Sequence, residues 1–114
     1  MASCIFCRIA SGEIASDIVY KDDGVVAFRD LNPQAPSHVL LIPRKHMPSL
    51  GELSADDDAT IGHLVRIASQ LAETEGIAAD GYRLVANCGA NAGQSVDHVH
   101  FHLLGGRRFA WPPG

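Results

Sequence analysis

The chain has 114 residues, 46% of them hydrophobic and 19% charged, and carries a formal net charge of -4. That length suits one domain around a modest core. The acidic balance argues against a nucleic-acid partner or an anionic membrane, because both call for clustered positive charge, but it leaves room for a small anionic ligand held by backbone amides and a few side chains. The three cysteines, Cys4, Cys7 and Cys88, come with no secretion signal and no membrane-length apolar run. They read as reduced thiols of a cytoplasmic protein.

In chain order, Cys4 to Ala10 reads as a short helix stopped by Gly12. Strands are predicted at Asp17–Lys21 and Val25–Asp30, joined by Asp22-Asp23-Gly24, which is favourable hairpin chemistry. Pro33 and Pro36 break the next connection, and a strand over Ser37–Ile42 runs to Pro43. Ser54 is placed to cap a long helix whose first turn carries Asp56, Asp57 and Asp58, where the helix dipole favours negative charge. Its apolar stripe is Ile61, Leu64, Val65, Ala68, Leu71 and Ala72, and Gly76 is the stop. Two more strands follow, Tyr82–Cys88 and Val96–Leu104. Five strands joined mainly by turns, with one long helix and a short N-terminal one, predict an α+β fold on an antiparallel sheet in one domain over 1–114.

The most informative stretch is His98-Val99-His100-Phe101-His102-Leu103-Leu104. Alternate side chains of a strand share a face, so the three imidazoles project together, about 6.6 Å apart at roughly 3.3 Å per residue. Val99, Phe101 and Leu103 face the other way and can pack on the helix. Such a row suits either metal ligation or nucleophilic and acid–base catalysis near neutral pH. Just before it lies Asn87-Cys88-Gly89-Ala90-Asn91-Ala92-Gly93-Gln94-Ser95. Its glycines allow close backbone approach and its polar side chains are neutral donors, as a phosphate-holding loop requires.

These residues, with Pro33-Gln34-Ala35-Pro36-Ser37-His38 and the terminal Trp111-Pro112-Pro113-Gly114, resemble the histidine triad (HIT) superfamily over nearly the whole chain, and most closely its Hint branch of nucleotide-binding proteins. The resemblance implies hydrolysis of purine nucleoside 5′-phosphoramidates to nucleoside monophosphate and amine. His100 would be the nucleophile, forming a nucleotidyl–histidine intermediate that water resolves. His102 would sit on the phosphoryl oxygens and pass a proton to the leaving amine. His38 would be hydrogen-bonded near the nucleophile, and Ser95 would donate to the leaving group. Asn87, Gly93 and Gln94 would hold phosphate and substrate in line. Asp30 would accept from the ribose hydroxyls, and Phe6, Ile9, Ile14, Phe28 and Leu31 would form the purine slot. Trp111 would reach the partner subunit's site in a homodimer, which so small a core also favours.

Cys4-x-x-Cys7 is a two-ligand spacing for zinc. The resemblance supplies His46 and His98 as the remaining ligands of a structural site, with no cofactor required for catalysis. Arg29 and Asp97 depart from the residues expected in the Hint branch and stand where base or leaving-group preference could change. Cys88 is expected to be a small buried residue, His63 a packed or solvent-facing one, and Arg44 and Lys45 part of a solvated turn. Two other readings stay open: a non-catalytic nucleotide-binding module, and a metallohydrolase ligated by His98, His100 and His102.

Overall fold

The computed structural model describes residues 3–114. Helix α1 spans Ile5–Ala10. Strands β1 (Ile18–Lys21), β2 (Val25–Arg29) and β3 (Ser37–Pro43) follow, then the long helix α2 (Asp58–Thr74), and finally β4 (Tyr82–Ala86) and β5 (Phe101–Gly105). The sheet has the order β1-β2-β3-β5-β4, with every neighbouring pair antiparallel. The expected α+β class and five-stranded antiparallel sheet are what the chain forms.

Local chemistry explains the boundaries. The β1–β2 hairpin closes on Asp22, whose Oδ1 accepts from the Gly24 and Val25 amides, each at 2.8 Å. Ser54 caps a single 3-10 turn at Ala55–Asp57 that leads into α2, with its hydroxyl accepting from Asp56 N and Asp57 returning a bond to Ser54 N. Gly76, at φ +75°, takes the left-handed conformation that ends α2.

Both central strands are buried on two faces, and alternation assigns those faces. Val25, Ala27, Val39, Leu41 and Leu103 pack against Leu64, Ile67, Ala68, Leu71 and Ala72 of α2. Val26, Phe28, Leu40 and Ile42 point the other way and pack against Phe6 and Ile9 of α1. One face of the sheet is therefore core under α2. The other, under the much shorter α1, is only partly covered, and that is where a cleft can open.

Four expectations need correction. Val65 is 43% exposed and Ile67 takes its place in the stripe, because the buried arc of α2 runs Leu64, Ile67, Ala68, Leu71 and Ala72. The last strand begins at Phe101 rather than Val96: His98 Nε2 donates to Pro43 O (2.8 Å) and Val99 N to Met47 O (2.7 Å), so this stretch leaves the ladder before β5 begins. The fourth strand likewise ends at Ala86, and Cys88 is exposed rather than buried.

Candidate active site

The sheet face opposite α2 carries a cleft of about 300 Å³. Its floor is Leu40 and Phe28, and α1 supplies Phe6 and Ile9. Ile14, Asp30 and Leu31 border it, and His100, His102 and Ser95 close one end. Of the expected purine slot, Phe6, Ile9 and Phe28 are buried walls. Leu31 is 98% exposed and stands at the rim. Leu40, Ala15 and Ser16 also line the cleft. Leu40 was legible, since it shares a face with His38 in β3, whereas Ala15 and Ser16 lie in irregular chain that gives no periodic signal.

The three triad histidines keep to one side of the chain but do different things. His100, 5% exposed, lies with its ring 5.1 Å from that of Phe6. Its Nδ1 is 2.7 Å from His98 O, and a carbonyl can only accept, so Nδ1 carries the proton. The Nε2 lone pair of neutral His100 is thereby left for the cleft.

A second chain of bonds fixes His102. The Gln34 amide donates to His38 Nδ1 at 3.0 Å, so the proton of neutral His38 is on Nε2. Nε2 lies 2.9 Å from His102 Nδ1 and donates to it, which places the His102 proton on Nε2. Asp30 Oδ2 lies 3.4 Å from the same His38 Nε2, while its Oδ1 accepts from Asn32 N at 2.8 Å. His38 thus bonds to His102 rather than to His100. Burial pushes His102 down to about 4, aided by the charges that His100 and His38 would carry and opposed by Asp30. Burial also lowers His38, against the pull of Asp30. Both are neutral at pH 7, which suits a hydrogen-bond relay better than a charged pair.

His98 is fully buried and turned to Cys4, Cys7 and His46. Its Nδ1 is 3.3 Å from Cys4 Sγ, 3.5 Å from Cys7 Sγ and 3.2 Å from His46 Nδ1, and Cys7 Sγ is 3.3 Å from His46 Nδ1. Tetrahedral zinc with bonds of about 2.0–2.3 Å sets its ligands roughly 3.3–3.8 Å apart, so this donor set fits the ion. The Nε2–H bond to Pro43 O aims the His98 lone pair inward, as an outer-sphere partner of a metal ligand does. The three triad histidines do not converge on one point. Among the described residues, His98 groups with the cysteines, His102 with His38 and Asp30, and His100 with neither, which counts against a metallohydrolase built on all three.

Other expected residues fall outside the first cleft. Asn87 lies in a neighbouring cleft that shares His102 with the first and is also bordered by His38. Gly93, at φ +79°, and Gln94 shape the preceding loop. The Gln94 side chain accepts from Gly89 N (3.0 Å) and donates to Pro48 O (2.7 Å) and Val96 O (3.0 Å), so it is committed to bracing that loop. Trp111 is 81% exposed and borders neither cleft. Arg29 borders the first cleft, but its guanidinium is tied to Glu75. Arg44 donates to Asp22 O and Ala10 O, Lys45 pairs with Asp57, and His63 bonds Asp22. All three join elements together rather than face a ligand. Asp97 is exposed beside the Cys/His cluster.

Comparison with known proteins agrees with this arrangement. The HIT domain profile matches residues 11–109. The chain is 52% identical over 103 residues to the purine nucleoside phosphoramidase of Escherichia coli (strain K12), covering 90% of this chain and 87% of that one. It is 53% identical to an uncharacterized HIT-like protein of Synechocystis, covering 96% of each. Among solved structures, a HIT family hydrolase from Legionella pneumophila Philadelphia 1 superposes with a TM-score of 0.97 at 46% identity, covering 98% of this chain and 100% of that one. A histidine triad protein from Clostridium difficile superposes with a TM-score of 0.94 at 42% identity, covering 96% of each.

Proposed function

The chain belongs to the HIT family, and from that premise we propose that it hydrolyses purine nucleoside 5′-phosphoramidates to nucleoside monophosphate and amine. The observation that carries the reading is the His100 Nδ1–His98 O bond of 2.7 Å, because it leaves Nε2 unprotonated in a cleft with an apolar slot and a carboxylate.

The purine lies between Phe6, Ile9, Ile14 and Phe28, with Leu31 at the rim, and Asp30 accepts from the ribose hydroxyls. His100 Nε2 attacks the α-phosphorus and forms a P–N bond as the substrate P–N bond breaks. The His102 Nε2–H donates to a phosphoryl oxygen as charge builds there and keeps its proton, with Ser95 a second donor, while the departing amine takes a proton from solvent water. Water then attacks the nucleotidyl–histidine and loses its proton to solvent, and the monophosphate leaves with His100 restored. Asn87 borders the phosphate from the neighbouring cleft, and Gly93 and Gln94 hold the loop that presents Ser95.

No step needs a metal. Zn²⁺ held by Cys4, Cys7, His46 and His98 would be structural, supplying cross-linking and no chemistry. A homodimer goes with this reading, supported by the unpaired outer edge of β4 and by exposed Val65 and Tyr82, and Trp111 would then reach the partner's site. No helix of the described residues is long and apolar enough to cross a membrane, and reduced cysteines suit the cytoplasm. Neither nucleic acid nor a membrane is a partner in this reading.

The test is a rapid quench during turnover of an adenylyl-amine substrate. AMP attached to His100 is the expected result, with His100→Asn retaining AMP binding and losing at least about a thousandfold in kcat. Turnover by His100→Asn near the wild-type rate would overturn the assignment.

A further inference from the structure

One of the two histidines that close the nucleoside cleft also borders a second cleft of about 290 Å³. His102 lines both, whereas His100 lines only the first. In a displacement at phosphorus, nucleophile and leaving group lie on opposite sides of the reacting atom. A phosphorus attacked from His100 and bonded through its oxygen to His102 must therefore release its amine away from His100, and the second cleft is a cavity that His102 lines and His100 does not.

The walls of that cleft are specific. Arg83 and Asn87, from β4 and its end, face Arg107 and Phe109 of the segment that follows β5. Two guanidiniums share one ring, with Arg83 at 5.2 Å and Arg107 at 4.3 Å from the Phe109 centroid. Stacking fixes their planes. Arg83 donates to Ala110 O at 3.1 Å, and Arg107 to Gln34 O and Arg108 O, each at 3.1 Å. All three acceptors are neutral carbonyls, and among the described residues neither arginine has a carboxylate within ion-pair distance. A guanidinium has five N–H donors, so each keeps donors to spare. In a protein of net charge -4, two preordered cations without an acidic partner are a place for an anion.

We infer that this cleft is the leaving-group subsite and that it selects phosphoramidates whose amine carries a carboxylate or comparable anionic group. The inference rests on the hydrolytic reading above and adds the chemical class of the amine. The bond chemistry is unchanged: the P–N bond breaks, the amine leaves with one proton, and its carboxylate stays ionised between Arg83 and Arg107.

The test compares two AMP amidates that differ in the charge of the amine, those of β-alanine and of its uncharged amide, β-alaninamide. The wild-type protein should favour the β-alanine substrate in kcat/KM by about tenfold, as a charge-assisted contact does. The ratio should fall toward one in Arg83→Gln and in Arg107→Gln, and in the wild type as salt is raised. Because the ratio is taken within each variant, partial misfolding cancels. A wild-type ratio at or below one, or a ratio unmoved by both substitutions, overturns the inference while AMP release from either substrate still supports hydrolysis. No AMP from either substrate overturns the hydrolytic reading itself, and the inference with it.

Discussion

His38 Nε2 lies 2.9 Å from His102 Nδ1, and that one hydrogen bond decides which nitrogen of His102 faces a substrate. His38 is only 3% exposed, and its other nitrogen is already filled by the Gln34 amide, so its tautomer is not free to change. His38 is a positioning residue in this scheme. His38→Ala should lower kcat about tenfold to a hundredfold with little change in KM, because the donor to the phosphoryl oxygen loses its fixed tautomer but remains present. Nitrogen chemical shifts should show His102 moving from a pure Nε2–H form to a mixture. An unchanged tautomer with an unchanged kcat would remove His38 from the scheme.

The same histidines should make the fold acid-labile. His102 titrates at about 4 in the folded chain and at its ordinary 6.5 when unfolded. Between those values the unfolded chain binds more protons, so stability is lost as pH falls from 6.5 toward 4. His38 shifts in the same sense. Glu75, held low mainly by Arg29 and also by Ser37, adds to the loss once pH falls below the ordinary carboxylate value of 4.5. Denaturant melts should show a decline on the order of 1–2 kcal/mol from His102 across that window, the partial exposure of the site being allowed for. His102→Gln should flatten the part of the slope above pH 5. A wild-type profile level from pH 7 to 5 would contradict the burial argument.

How much of this was legible in the sequence depends on how local the signal was. The hairpin at Asp22 is a short-range pattern and stands where the residues indicated, whereas Ser54 caps the 3-10 turn ahead of α2 rather than α2 itself, and of the three alternating histidines only His102 lies in β5. Where the ladder ends is not local: β5 stops pairing before His100 because Pro43 O and Met47 O capture His98 and Val99. Val65 is apolar and suitably spaced for the stripe, but the strand residues beneath α2 pack against Ile67 instead and leave Val65 exposed. Gln94 shows the same limit. Its amide has the chemistry of a phosphate donor, and only the fold reveals that three loop groups already occupy it.

The Arg29–Glu75 pair ties β2 to the end of α2 through two bonds, of 2.6 and 2.9 Å, and Ser37 adds a third to Glu75 at 3.0 Å. The Glu75 side chain is 11% exposed and that of Arg29 42%, so Glu75 carries the desolvation while Arg29 stays half-solvated. Arg29→Ala should cost about 2 kcal/mol, below the range for a wholly buried pair, because it leaves a largely buried carboxylate with only Ser37. Removing both charges in Arg29→Ala/Glu75→Ala should cost less than the sum of the single changes. Urea unfolding of the three variants measures this, and strict additivity would show that the two residues do not act as a pair.

Metal removal should be felt in nucleotide binding more than in the chemistry, for a reason that lies in α1. This six-residue helix carries Cys4 at its N-cap and Cys7 within it, and it also carries Phe6 and Ile9, two walls of the purine slot. A helix of that length does not hold itself in water, so it depends on what fastens it. Packing on Phe28 and Ile42 is one fastening, and zinc joining α1 to His46 and His98 would be the other. His98 also presents the carbonyl that orients His100, but that carbonyl sits in a backbone fixed independently by the Val99–Met47 bond. Zinc should bind at one ion per chain. Stripping it should weaken AMP binding about tenfold by calorimetry and speed amide exchange across Ile5–Ala10, while the single-turnover rate at saturating substrate falls much less. Cys4→Ser should reproduce the binding loss. If one zinc per chain is removed and neither AMP affinity nor exchange responds, α1 is held by packing alone, and a chain that takes up no zinc would refute the assignment of the four ligands.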